Sequence, residues 1–234
     1  MNQRLFLVPS PLGDNGVEEV IPSVVYQRIS HVTHFAVEEI RSARRYLSKL
    51  GFKGAIDTLT FYEINEHSTP EDIEKIYQVL KEGNDMALIS EAGLPAVADP
   101  GAALVALAHK GEIEVVPFVG PSSLMMALMS SGLNGQCFAF CGYIPVKKEE
   151  RKKRLKELES RSRKYSETEI LIETPYRNDS LFEDILSTLQ PTTRVCVAAN
   201  ITMPDEFIRT KTVAQWKKEK FQINKRPCVF LIYG

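Results

Sequence analysis

Apolar and polar positions follow two rhythms along this chain. Short apolar runs bounded by Gly, Pro, Asn, Asp or Ser predict strands. In the first half these are "RLFLV" (4–8), "THFAV" (33–37), "DMALIS" (85–90) and "EIEVVPF" (112–118). In the second half they are "CFAFCGYI" (137–144), "TEILIET" (168–174), "RVCVAAN" (194–200), "EFIRTKT" (206–212) and "PCVFLIYG" (227–234). Windows with a helical period lie between them. "PEDIEKIYQVLKEG" (70–83) puts Ile73, Ile76, Tyr77 and Leu80 on one face, with Gly83 past its end. "EEIRSARRYLSKL" (38–50), "GAALVALAHKG" (101–111), the basic run 147–164, "NDSLFEDILSTLQ" (178–190) and a short stretch near Trp216 also read as helices. "PSSLMMALMSSG" (121–132) reads as a helix opened by Pro121.

Strand and helix in alternation predict α/β layers with mainly parallel sheets. The length of 234 residues suits one large domain or two of about half that. The break at "PFVGPSS" (117–123) favours two α/β domains, 1–117 and 118–234.

Composition changes this picture little: 44% hydrophobic and 25% charged residues are ordinary for a globular chain. No apolar run approaches the roughly 20 residues of a membrane span. The start "MNQRLFLVPS" lacks a basic stretch followed by a long apolar core, so a soluble cytoplasmic protein is expected. Cys137, Cys141, Cys196 and Cys228 sit in or beside strand-like runs and read as reduced core residues, and no metal is expected. Charge is more informative. The net value is −1, yet Lys147–Lys164 holds ten Lys/Arg against four Glu. That excludes a uniformly basic nucleic-acid coat and leaves room for a local phosphate-contacting patch.

Candidate chemistry sits in loops that leave strands with Gly or Pro: "VPSPLGDNG" (8–16), "SEAGLPAVADPG" (90–101), "FVGPSSL" (118–124) and "ETPYR" (173–177). Ligands of open α/β sheets bind at such carboxyl ends. None of the loops matches G-x-G-x-x-G, the P-loop or G-x-S-x-G, so a standard dinucleotide site, a P-loop NTPase and a hydrolase elbow are not supported.

In order along the chain, "VPSPLGD", "EEIRSARRYL", "YEINEH", "LKEGNDMALISEAGLPAVADPG", "VVPFVGPSSLMMALMSSGL", "FCGYIPVKKEERKKRLKEL", "ETPYR" and "EFIRTKTVAQW" resemble the blocks of the tetrapyrrole methylase superfamily. Its bacterial small-subunit rRNA (cytidine-2'-O-)-methyltransferases are the most similar branch. The resemblance covers residues 4–234. It implies a homodimer of two-domain subunits with S-adenosylmethionine in the cleft between the domains. Glu91, Ala92, Gly93, Leu94, Val97, Ala98 and Asp99 would line the cofactor with Ser122 and Ser123. The loops around Tyr143, Thr174, Asn200 and Pro227 would supply the other side. The first loop, with Pro9, Pro11 and Gly13, would face the acceptor. A Gly-rich turn can offer backbone groups to the amino-acid and adenine ends of such a ligand, while Glu91 or Asp99 could hold its ammonium or ribose hydroxyls.

The chain departs from that branch in two acceptor-side blocks. "EEIR" (38–41) stands where the branch reads E-D-T-R, and "YEINE" (62–66) stands where it reads H-E-H-N-E. The chain also stops at "LIYG", where the branch usually continues. Methylation of a ribose hydroxyl is helped by a nearby base; Glu39 and Glu66 are the catalytic candidates, with Asp99 behind them. Arg41 and Asn65 would contact the acceptor, and Lys152, Lys153 and Arg154 would contact phosphates. Glu39 and Arg41 also fit a solvated helix face, as does the run 147–164. The expected function is S-adenosylmethionine-dependent methylation of small-subunit rRNA, with rRNA or the small ribosomal subunit as partner. Alternatives are methylation of a small molecule such as a tetrapyrrole, or a non-catalytic module that binds the cofactor.

Overall fold

The computed structural model describes residues 3–14, 16–223 and 225–234. The chain forms two compact units, Met1–Ser122 and Ser123–Gly234. The predicted break at 117/118 falls short of this division. Phe118 stacks on Phe6 with ring centroids 5.9 Å apart, so it belongs to the first unit.

The first unit runs β1 (Arg4–Val8), α1 (Val17–Val20), α2 (Val24–Ile29), β2 (His34–Val37), α3 (Ile40–Leu47), β3 (Thr60–Glu63), α4 (Pro70–Lys81), β4 (Met86–Ile89), α5 (Ala102–Lys110) and β5 (Glu114–Pro117). Its sheet has the order β3-β2-β4-β1-β5, and every pairing is parallel. Alternation along the strands sorts residues to two faces. Phe6, Val8, Phe35, Val37, Ala87 and Ile89 pack against α1, α2 and α3. Leu5, Ala36, Met86 and Leu88 pack against α4 and α5. The chain leaves β1 towards β2 but leaves β4 towards β5, on the opposite side of β1. The carboxyl ends of β1 and β4 are therefore the topological switch point, where ligands of open α/β sheets bind.

The second unit runs α6 (Ser123–Ser131), β6 (Phe138–Tyr143), α7 (Lys148–Tyr165), β7 (Thr168–Ile172), α8 (Asn178–Thr188), β8 (Arg194–Ala199), β9 (Phe207–Thr212), α9 (Val213–Trp216) and β10 (Cys228–Tyr233). Its sheet order is β6-β7-β10-β8-β9. Here the expectation of mainly parallel strands is corrected: only β6–β7 is parallel, and β7–β10, β10–β8 and β8–β9 are antiparallel. The cause is local. Residues 200–206 join β8 to β9 without a helical crossover, so the strand direction must reverse.

The basic helix α7 buries Arg151, Leu155, Leu158, Glu159 and Ser162 at helical spacing, a wider stripe than its two leucines suggested. Its buried charges are paired. Arg151 Nε donates to Asp184 at 2.7 Å. Glu159 accepts from the Gln190 backbone N–H at 2.8 Å and from the Thr193 hydroxyl. Arg161 pairs with Glu169, whose side chain is fully buried. Several of the ten cations therefore hold the fold together.

Candidate functional site

At the switch point the loop after β1 and the loop after β4 are clasped backbone to backbone. Ser10 N–H donates to Gly93 O at 2.8 Å, and Gly93 N–H donates to Ser10 O at 3.1 Å. The Ser10 hydroxyl donates to Ser90 O at 2.8 Å, and Tyr46 donates its hydroxyl proton to Pro9 O at 2.6 Å. Burial pushes the Tyr46 phenol well above its usual range. Gly93 has φ +78°, and a Cβ there would lie 3.3 Å from Leu12 Cδ2 and 3.6 Å from Pro121 O. Only glycine meets both demands without strain. Ala96 and Ala98 also adopt left-handed backbone, at φ 65° and 57°. Such geometry costs about 1–3 kcal/mol per residue and clusters where ligands bind. Asp99 Oδ1 accepts from the N–H of Gly101 at 3.0 Å and of Ala96 at 3.4 Å, so this acid organises its own loop.

The carboxylates are not equivalent. Glu39 is the N-cap of α3, and its two oxygens accept from the Arg41 and Ser42 backbone N–H groups at 2.7 Å each. Those bonds hold its carboxyl below the ordinary glutamate value. Glu38, immediately beyond the last residue of β2, has the opposite character. It is half-buried, and among the described residues its Oε2 accepts only a long bond from Glu91 N–H, at 3.3 Å. Burial raises its proton affinity first, and the charges of Asp99, Glu91 and Glu66 raise it further. Glu91 Oε1 in turn accepts from the Ser42 hydroxyl. Sequence reasoning missed Glu38; its place directly after a strand end was the signal that could have separated it from the capping Glu39.

The other residues expected on the acceptor side divide the same way. Ile64 is 2% exposed in the core beside Leu5 and Ala36. Ile40 packs against the opposite core, and Tyr62 donates to or accepts from His34 Nδ1 at 2.9 Å. The departures at positions 40, 62 and 64 thus serve packing. Asn65 accepts from His67 N–H at 3.0 Å and shapes the turn before α4. Glu66 is exposed, 3.6 Å from His67, and Arg41 is exposed at the start of α3.

A cavity of about 280 Å³ opens beside the clasped loops. Pro11 and Gly13 line it, with Ser42 and Arg45 of α3, Lys49 one turn on, and Ser90 and Glu91.

In the second unit, Tyr143, Thr174 and Asn200 lie at the carboxyl ends of β6, β7 and β8, with Pro227 just before the antiparallel β10. All four share one sheet edge. Asn200 N–H donates to Pro227 O at 3.0 Å, and its backbone is left-handed at φ 50°. At this edge Glu173 Oε1 accepts from Thr174 N–H at 2.7 Å and from Arg177 at 2.6 Å. Glu173 Oε2 and Asn178 Oδ1 are buried without a hydrogen-bond partner among the described residues. Unpaired buried acceptors cost about 1–3 kcal/mol each, and a ligand N–H or O–H would relieve them. Lys153 is exposed, Lys152 is half-buried, and Arg154 lies 3.4 Å from Glu157.

The model for the tetrapyrrole (corrin/porphyrin) methylases matches residues 18–216. A ribosomal RNA small subunit methyltransferase I of Vibrio cholerae is 31% identical over 233 residues, 98% of this chain and 77% of that protein. A protein of the same name from Escherichia coli O157:H7 is 29% identical over 234 residues, 99% of this chain and 78% of that protein. Among solved structures, the methyltransferase CobJ superposes with a TM-score of 0.66 at 14% identity, over 100% of this chain and 95% of that one. Uroporphyrin-III-C-methyltransferase from Thermus thermophilus gives 0.56 at 16% identity, over 100% and 93%. At these identities the two structures share the fold with this chain.

Proposed function

The chain belongs to the tetrapyrrole (corrin/porphyrin) methylase family, and on that premise we propose that it methylates a ribose 2'-oxygen of small-subunit ribosomal RNA, using S-adenosylmethionine. It is a methyltransferase. The observation that carries the finer reading is the clasp of Ser10 and Gly93 at the switch point, with the half-buried Glu38 beside it. Support for an rRNA acceptor comes from the names of the relatives that match almost the whole chain.

The loop Glu91–Asp99 with Ser122 is assigned to the cofactor. The glycine-only backbone at 93 and the left-handed Ala96 and Ala98 fit close approach by a ligand. When bound, the cofactor supplies a methyl group on a sulfonium, ready for in-line displacement. Glu38 then takes the hydroxyl proton as the ribose oxygen becomes a nucleophile. Its raised proton affinity suits it to that task better than Glu39, whose oxygens are occupied by backbone amides. Pro11 and Gly13 shape the acceptor wall, and Arg41 and Asn65 are assigned to acceptor contact. Lys152, Lys153 and Arg154 add phosphate affinity from α7.

A homodimer and a cytoplasmic location complete the proposal. Phe138 and Phe140 lie exposed on the edge strand β6, which supports a covered interface there. No described helix is long and apolar enough to cross a membrane. Transfer of labelled methyl from S-adenosylmethionine to isolated small-subunit rRNA tests the function. Alkali-resistant label at one nucleotide is expected, and absence of label from RNA would overturn it.

A further inference from the structure

We propose that the cavity beside the first loop is a phosphodiester subsite, in which Arg45 and Lys49 hold a backbone phosphate of the acceptor RNA. This rests on the RNA reading above and adds a site that the family resemblance did not supply. Arg45 and Lys49 are four residues apart on a continuous helical path, so both reach the same wall of the cavity. Neither makes an ion pair within 4 Å among the described residues, although Arg45 helps keep the Glu39 carboxylate ionised from a distance. The neighbouring Arg44, by contrast, points to Asp57. Two unengaged cations beside a concave wall are a common recipe for holding a phosphate.

The cavity also connects to the proposed base. Ser42 and Glu91 line it; Ser42 donates to Glu91, and the Glu91 backbone donates to Glu38. A phosphate at Arg45 and Lys49 would thus sit in a cavity whose wall, through Ser42 and Glu91, is hydrogen-bonded to the carboxylate that receives the hydroxyl proton. Asp14 and Glu91 also line the cavity and bring negative charge to it.

The test compares the full chain with Arg45→Ala/Lys49→Ala and with the charge-conserving Arg45→Lys/Lys49→Arg. The probe is a fluorescent single-stranded RNA of small-subunit rRNA sequence, titrated at several salt concentrations, with S-adenosylmethionine binding measured in parallel. Both side chains are exposed, and an unchanged Tm confirms folding. Loss of the one phosphate contact that these two side chains share makes the slope of log affinity against log salt shallower by about 0.7. The charge-conserving variant keeps the wild-type slope, and cofactor affinity stays within twofold. An unchanged slope in the alanine variant overturns the subsite. A drop in cofactor affinity with an unchanged slope assigns the cavity to the cofactor's carboxylate and also overturns it. If the wild-type chain binds the cofactor but no RNA, the RNA reading fails, and the subsite fails with it.

Discussion

The backbone N–H of Glu91 donates to the carboxylate of Glu38 at 3.3 Å, joining the loop after β4 to the end of β2. This is the only hydrogen bond to Glu38 among the described residues, and three further carboxylates crowd it. Methyl transfer should therefore need Glu38 ionised. The rate falls as pH drops through a value above the ordinary 4.5, and a pH–rate profile locates the fall. Glu38→Gln lowers kcat by about 10²–10⁴ with cofactor affinity unchanged. Glu39→Gln lowers Tm through the lost helix cap and leaves kcat within a few-fold.

The same carboxylate has a stability consequence of defined sign. Its folded-state pKa is raised, so its contribution is fully present below the unfolded pKa and is lost as pH rises through the folded one. At neutral pH, Glu38→Gln should match or exceed the wild-type Tm, with the difference shrinking in acid. Thermal melts across pH give the answer, and a variant less stable at pH 7 than at pH 4.5, relative to wild type, contradicts the assigned cause.

Gly93→Ala forces a Cβ into left-handed backbone at φ +78°, 3.3 Å from Leu12. Urea unfolding should show a loss of about 1–2 kcal/mol. Calorimetric titration should show weaker cofactor binding, because the clasp with Ser10 is displaced.

Arg151 and Asp184 are each 5% exposed in their side chains. Replacing either alone leaves a buried charge and should cost about 3–5 kcal/mol in urea unfolding. The pair Arg151→Met/Asp184→Leu should recover most of that loss.

On α7, changing Lys152, Lys153 and Arg154 together to Glu should weaken RNA binding and flatten its salt dependence. Cofactor affinity should not move. Unchanged RNA affinity and slope would remove this helix face from the RNA site.

Much of the fold was readable because strand and helix periods are strong wherever one face is buried. β3 escaped because "TFYE" sits half-exposed at a sheet edge and shows no clean alternation. Strand direction in the second sheet was hidden because a period of two is the same in either direction; only the short return at 200–206 carried that information. The stripe of α7 looked narrow because Arg151 and Glu159 are polar, and their partners Asp184 and Thr193 lie far along the chain. The switch-point loops were readable from their Gly and Pro. Adjacent Glu38 and Glu39 were not separable by type: one follows a strand end and the other caps a helix, a distinction of a single residue.

The most direct measurement is a map of ribose methylation on small-subunit rRNA from a strain lacking this gene. One 2'-O-methyl mark should vanish, return with the wild-type gene, and stay absent with Glu38→Gln. A map identical in the deletion and parent strains would contradict the account.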